Sequence, residues 1–300
     1  MAVEAVPGPR SRTPRGLGSY LMILPAAAFI GVIFIYPLLR LADVSLHSGA
    51  RGTEGPATLD NYRFVLGDDV FWKAARHNVA LLLAVPVATA LALGIALVLF
   101  EGIRFWRVYR TLVFVPYVIS VPVLGASFLL LYGLHGVLNR VLGGTGLGGL
   151  SQDWFGNPHW TLPSIASLIV YHEVGFGVVL FLARLITLPP EPFDAARIDG
   201  ASWWKIQRFV TIPQLRSVIV TYVVLELITM LSWVFAYVYS TTRGGPNFAS
   251  YILELYVFDN AFTFQSPSFA AAVAVLLLIP TTIVIALWLR RSTIAEVNPE

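Results

Sequence analysis

The sequence predicts an all-α polytopic membrane protein with six transmembrane helices. Three observations carry this. Of 300 residues, 57% are hydrophobic and only 12% charged, against about 25% charged in a soluble domain, and mean hydropathy is +0.73. Six apolar runs each approach the roughly 20 residues that cross a bilayer. Basic residues then collect in alternate loops.

Taken in order, the runs are 20–39, 79–100, 112–134, 162–186, 218–241 and 269–289. Residues 1–18, rich in Pro, Gly and Arg, are expected to be disordered. The run after them is long enough to span, so an uncleaved first helix is expected rather than a signal peptide. Residues 293–300 read as a short tail. Pro86, Pro116, Pro122 and Pro280 lie inside spans, where proline is tolerated if neighbours satisfy the freed carbonyl, and predict kinks. One set of loops carries Arg10, Arg12, Arg15, Arg104, Arg107, Arg110, Arg184, Arg197, Lys205, Arg208, Arg216, Arg290 and Arg291. The other carries Arg40, Arg51, Arg63, Lys73, Arg76, Arg140 and Arg243. This thirteen-to-seven split of the 20 basic residues predicts cytoplasmic termini, a cytoplasmic 187–217 segment, and outward-facing loops near 47–76, 135–160 and 243–266.

Several functions are excluded. With no cysteine there is no disulfide, thiolate metal site or Cys nucleophile. A net charge of +3 gives no reason to expect nucleic acid as a partner. The Gly-rich run 143–149 lacks a following Lys-Ser/Thr and a preceding strand, so it reads as a loop and not a phosphate cradle. No Walker A pattern occurs, so the chain does not hold ATP in that manner. His47, His77, His135 and His159 show no metal-ligand spacing, no metal site is expected, and no catalytic cluster gathers at either interface.

The segment from Glu191 to Pro213 is polar and carries both signs of charge between two apolar spans. Pro189 and Pro190 end the fourth span. Glu191, Pro192 and Asp194 suit the first turn of a new helix. Ala195 and Ala196 allow another surface to approach closely. Asp199-Gly200 is a turn pair, and a second amphipathic helix over about 202–210 is expected to stop at Pro213. On physical grounds alone, a loop anchored to lipid headgroups competes with a helix–turn–helix elbow gripped by a cytosolic partner.

Spacing separates the two. Asp194-Ala195-Ala196, then Asp199-Gly200-Ala201, then Phe209, Ile212 and Pro213, resembles the EAA motif of ABC-importer permeases, with Asp194 in place of the usual Glu. Leu59-Asp60-Asn61-Tyr62, Leu182-Ala183-Arg184-Leu185 (with Arg184 where Gly is common) and Thr241-Thr242-Arg243-Gly244-Gly245-Pro246 are similar to segments of the carbohydrate branch, the maltose-type and glycerol-3-phosphate-type permeases. The resemblance spans roughly residues 20–290. It implies the type I importer permease fold. It also implies a second, related permease, two ATP-binding subunits that hold ATP and Mg, an extracytoplasmic solute-binding protein, and residence in a prokaryotic inner membrane. In this reading Asp194, Ala195, Ala196, Asp199, Gly200, Ala201 and Pro213 form the ATPase-coupling element.

Ionisable and hydroxyl-bearing groups inside spans are costly and point to a pathway. Glu226, Thr229, Trp233, Tyr237 and Ser240 follow at steps of three and four on one helical stripe. Rings with hydroxyl and indole donors suit a sugar; the alternative is packing at a helix interface. His172-Glu173, mid-way along the fourth span, reads as pathway lining or as a locking polar pair, and Asn78 and Tyr117 as further lining. A sugar or sugar-like solute is expected. A polyol, glycerol-phosphate or amino-acid substrate stays open, and a proton-coupled secondary transporter using His172-Glu173 or Glu226 is the rival mechanism.

Overall fold

The computed structural model describes residues 17–47 and 55–297. The first sixteen residues of the expected disordered segment, and the last three of the expected tail, lie outside the described residues. No strand occurs among those described. The helices are α1 (Leu17–Ile30), α2 (Tyr36–Leu46), α3 (Asp60–Gly67), α4 (Asp69–Leu81), α5 (Ala84–Phe100), α6 (Trp106–Val118), α7 (Val121–Tyr132), α8 (Val137–Gly144), α9 (Pro158–Leu185), α10 (Glu191–Ile198), α11 (Trp203–Ile206), α12 (Ile212–Ser232), α13 (Val234–Thr241), α14 (Leu253–Phe258) and α15 (Pro267–Val297).

Six helices among the described residues are long and apolar enough to cross a membrane: Ile23–Leu46, Asp69–Phe100, Val121–Gly144, Pro158–Leu185, Trp203–Ser232 and Pro267–Trp288. Their bounds differ from the hydropathy runs in informative ways. The second begins ten residues before residue 79, because Asp68 accepts from the Val70 N–H and caps α4. The expected third span, 112–134, is two helices. Ile119 and Ser120 are extended, with ψ of 134° and 139°, and Pro122 sits in the first turn of α7, where a missing N–H costs nothing. The expected fifth span, 218–241, is also interrupted, at Trp233 (φ −119°, ψ −3°). Pro280, in contrast, lies within an unbroken α15.

The helices bury two apolar clusters. One joins α4, α7, α9, α13, α14 and α15 through Phe71, Leu124, Ile169, Val238, Leu255 and Val273. The other joins α5, α9 and α12 through Ala92, Ala96, Val178, Phe181, Leu215 and Tyr222. Along α9 the first cluster ends at Ile169 and the second starts at Val174, so His172 and Glu173 fall at the seam. On α12, Glu226 likewise lies between Tyr222 of one cluster and Met230 of the other. These three buried polar groups, His172, Glu173 and Glu226, thus lie between the two apolar cores.

The expected outer loops close over one end as a pinned strap. Gly244 (φ +83°) turns the chain tightly, and a Cβ there would fall 2.4 Å from the Tyr251 ring, so this position requires glycine. Ser250 Oγ donates to the Gly245 carbonyl at 2.8 Å, and Lys73 Nζ to that of Asn247 at 2.8 Å. Tyr256 donates to Asp68 in a short hydrogen bond. Asn61 Nδ2 donates to the Ser45 and His47 carbonyls, and the Tyr62 hydroxyl meets Ser45 Oγ at 2.7 Å. The Asn-Tyr segment therefore fastens the far end of α2.

Candidate functional site

Two places carry chemistry. The first is a cavity of about 390 Å³ lined by Tyr117, Val121, His172, Glu173, Thr229, Trp233, Ala236 and Tyr237. Both interrupted helices border it: α6 and α7 break at Ile119–Ser120, and α12 and α13 at Trp233. A helix break in a membrane leaves carbonyls that need partners. Here His172 Nε2 approaches the Ile119 carbonyl at 3.2 Å. The break therefore both opens the cavity and anchors its histidine.

The polar groups form a closed set. Tyr237 Oη donates to Glu173 Oε1 at 2.7 Å and lies 2.7 Å from His172 Nδ1. His172 Nδ1 is 3.1 Å from Glu173 Oε1. A carbonyl and a carboxylate only accept, while a neutral imidazole carries one N–H. Held by one another, these groups are partnered at membrane depth, where an unmet polar group or isolated charge is expensive. Three rings frame the set. Tyr117 stacks on Phe176 (centroids 5.2 Å, 18°) and faces His172 at 5.5 Å, and Tyr237 meets His172 edge-on at 5.7 Å. Trp233 is 69% exposed while Tyr237 is 2% exposed. The break at Trp233 turns the two rings to different surroundings, which a continuous stripe does not do.

The expected stripe is thus divided. Thr229, Trp233 and Tyr237 line the cavity with Tyr117, His172 and Glu173. Glu226 stands behind it, buried beside Tyr222, and its Oε2 has no hydrogen-bond partner among the described residues. The Tyr222 hydroxyl donates to the Glu173 carbonyl at 3.3 Å, so Glu226 lies one residue removed from the same set. Ser240 borders a neighbouring cavity with Pro122, Tyr239 and Arg243. Asn78 is elsewhere. Its Nδ2 donates to both Glu254 oxygens, at 2.9 and 3.2 Å, and its Oδ1 accepts from the Leu253 N–H at 2.9 Å. Its amide is engaged in holding the strap, apart from the cavity that the other expected lining residues share. Burial pushes the Glu254 carboxyl up to about 7, against the opposing pull of the Asn78 donors. A larger groove of about 880 Å³ between α5, α6 and α9 is walled almost wholly by apolar side chains and gathers no comparable polar set.

The second place is the elbow. Helix α10 runs Glu191–Ile198 and buries only Phe193. Its end is a Schellman turn: the Ala201 N–H reaches the Ala196 carbonyl at 3.0 Å and the Gly200 N–H that of Arg197 at 3.1 Å. Gly200 has φ +71°, with open space around a notional Cβ. Asp194 pairs with Arg197 at 3.4 Å, both exposed. Asp194, Ala195, Asp199 and Gly200 are exposed and Ala196 is half-buried, so this face is free to meet another surface. The arm after the turn corrects the sequence reading. No helix stops at Pro213, and one helix runs from Trp203 to Ser232. A wider π turn over Gln207–Thr211 precedes Pro213, which removes the clash of its ring with the carbonyl four residues back. Pro213 therefore lies in the root of the fifth span.

Sequence reasoning missed Tyr222, Phe176, Glu254, Glu101 and the Ile119 carbonyl. Tyr222 was within reach, since it lies one turn before Glu226 on the same face; the others depend on contacts between distant segments.

The sequence and the fold are similar to those of known proteins. Residues 87–295 match the family described as binding-protein-dependent transport system inner membrane component. Relatives include the lactose transport system permease protein LacF of Rhizobium radiobacter, 31% identical over 86% of this chain and 88% of that protein. The sulfoquinovosyl glycerol transport system permease protein SmoG of Agrobacterium fabrum is 30% identical over 90% and 88%. The trehalose/maltose transport system permease protein MalF of Thermococcus litoralis is 31% identical over 80% and 82%. In fold, the chain is similar to a bacterial ABC transporter that imports the acidic polysaccharide alginate, with a TM-score of 0.79 at 18% identity over 92% of this chain and 94% of that one. With a family match over most of its length and these relatives across nearly all of it, the chain belongs to the inner-membrane components of binding-protein-dependent transport systems, the permease subunits of ABC importers.

Proposed function

We propose that this permease carries a neutral carbohydrate through the cavity at the two helix breaks, driven by ATPases that grip α10. The observation that carries the reading is the composition of the cavity wall. Ring faces (Tyr117, Trp233, Tyr237) suit the C–H faces of a sugar, and the His172–Glu173–Tyr237 set suits its hydroxyls. No Lys or Arg lines it, so a phosphorylated solute finds no counter-charge there. The names of two relatives, concerned with lactose and trehalose/maltose, support the same class, and that of a third, concerned with sulfoquinovosyl glycerol, supports a carbohydrate but an anionic one.

In this reading the chain is a conduit and not an enzyme, and it binds no cofactor itself; ATP and Mg belong to the ATPase subunits. Its partners are one related permease, two ATPases and a solute-binding protein that docks on the strap end. Both termini and α10 are cytoplasmic, as the distribution of basic residues supports.

The test is affinity purification of the tagged chain from its native membrane in mild detergent, followed by mass spectrometry. The binding protein recovered is then screened against lactose, maltose, trehalose and xylose. The expected result is an ATPase, a second permease and a binding protein that retains one neutral sugar. A binding protein that retains only phosphorylated or amino-acid ligands would overturn the substrate class.

A further inference from the structure

We propose that Glu101 is a positioning residue that latches the elbow to the second span, so that displacement of α10 moves α5 and, through it, the wall of the cavity. The inference rests on the reading of α10 as the coupling element.

Glu101 directly follows the last residue of α5. Its Oε1 accepts from Trp203 Nε1 at 2.9 Å and from Gln207 Nε2 at 3.3 Å. Both donors lie on the arm where the chain returns to the membrane after Gly200. The neighbouring Phe100 ring meets Phe193 of α10, with centroids 6.2 Å apart. Phe193 is the one buried side chain of that helix. A cavity of about 370 Å³, lined by Phe100, Glu101, Phe193, Arg197, Trp203 and Ile206, lies between elbow and span. The elbow is therefore not packed solidly against α5. It is joined to α5 by the Phe100–Phe193 ring pair, by Trp203 packed on the cluster that holds Leu97 and Leu99, and by one carboxylate that takes two donors, and a charge-assisted acceptor is the stronger kind of such link.

What α5 receives it passes on. Its small face, Ala88, Ala92 and Ala96, is buried against α9. A Cβ on Gly177 would come within 2.7 Å of the Ala92 Cβ, so the two backbones lie too close to slide independently. Four residues before Gly177, α9 carries Glu173. The chain of contacts runs from α10 and Trp203 through Glu101 to α5, α9 and the His172–Glu173 pair.

The chain has no cysteine, so introduced pairs are its only labelling sites, and they are spin-labelled in the complete complex assembled with cysteine-free ATPases and partner permease in nanodiscs. Two pairs suffice: Ile198→Cys on the elbow with Val87→Cys on α5, and Ile198→Cys with Phe64→Cys at the far end. Distances are measured without nucleotide and after trapping with ATP and vanadate. The expected result is a shift of the 198–64 distance on trapping, with a narrow, unshifted 198–87 distance. Glu101→Ala should make the 198–87 distance broaden and shift on trapping. Glu101→Gln, which keeps the acceptor oxygen, should restore it. Trp203→Phe, which removes one donor and keeps the ring, should give an intermediate result, and decides the matter if the alanine variant does not assemble.

An unmoved 198–64 distance on trapping would overturn the reading of α10 itself. A 198–64 shift with a 198–87 distance as narrow in Glu101→Ala and Trp203→Phe as in the wild type would overturn the latch alone.

Discussion

At the elbow, α10 buries one side chain, half-buries Ala196 and exposes the rest, with its shape set by two backbone hydrogen bonds at a glycine turn. At the cavity, His172, Glu173 and Tyr237 are each at most 6% exposed and hold one another through hydrogen bonds of 2.7–3.1 Å. The first region keeps a surface ready for a partner at little internal cost. The second keeps polar groups inside a bilayer, which is stable only while every donor and acceptor is met. Substitutions at the elbow should therefore disable function with little effect on stability. Substitutions in the buried set should damage both.

The largest effect is expected from Glu173→Ala. It takes the carboxylate from both the Tyr237 hydroxyl and His172, which keep only each other and the Ile119 carbonyl, and removing one member of a buried polar pair costs about 3–5 kcal/mol. Thermal unfolding in detergent should fall by several degrees, and uptake should be lost. Wild-type melting together with wild-type uptake would show that the triangle is dispensable to both regions. Gly200→Asp comes next and has the opposite signature. The new side chain meets open space, and a non-glycine residue at φ +71° costs about 1–2 kcal/mol. The protein should insert and melt nearly normally, yet lose ATP-driven uptake as the carboxylate projects into the docking face. Undiminished uptake by that variant would sink the coupling role of the turn.

Legibility follows the same division. The spans and the elbow are local in sequence: apolar length gives the first, and paired alanines before Asp199-Gly200 give the second. The cavity is legible only in pieces. His172-Glu173 and the Trp233–Tyr237 stretch stand out as polar or aromatic residues inside apolar runs, but their meeting depends on how α9 packs against α13. Of the two breaks, one is foreshadowed by Pro122. Nothing around Trp233 marks the other, because no proline or glycine is near and the interruption comes from tertiary packing. The continuation through Pro213 is hidden for a related reason, since a π turn has no residue signature of its own.

Trp233→Ala is expected to act on the solute alone. The ring is exposed toward the cavity, so the fold loses little, while loss of one stacking face costs about 0.5–1.5 kcal/mol. With binding protein saturating, the sugar concentration for half-maximal uptake should rise roughly threefold to tenfold. An unchanged value for both Trp233→Ala and Tyr237→Ala would reduce this wall to helix packing.

The smallest effect on transport is expected from Asn78→Ala, which asks whether a half-buried carboxylate outside the cavity serves the pathway. Glu254 is held by both Asn78 donors and lies against Leu231, Ser232 and Leu277, away from the sugar-facing wall. Apparent affinity should therefore stay at the wild-type value, while stability falls by about 1–3 kcal/mol for the unmet carboxylate. The loss should depend on pH. Burial raises the Glu254 carboxyl to about 7 from an ordinary 4.5. A raised carboxyl favours the fold fully below its unfolded value, and this advantage is lost as pH rises through about 7. Above that point the carboxylate must be carried ionised, and there the Asn78 donors matter most. The stability gap between Asn78→Ala and wild type should widen from pH 5 to pH 8, and Glu254→Gln should flatten it. A gap independent of pH would mean that Asn78 acts through its bond to the Leu253 N–H and not through the carboxylate. A shifted apparent affinity would return Asn78 to the pathway.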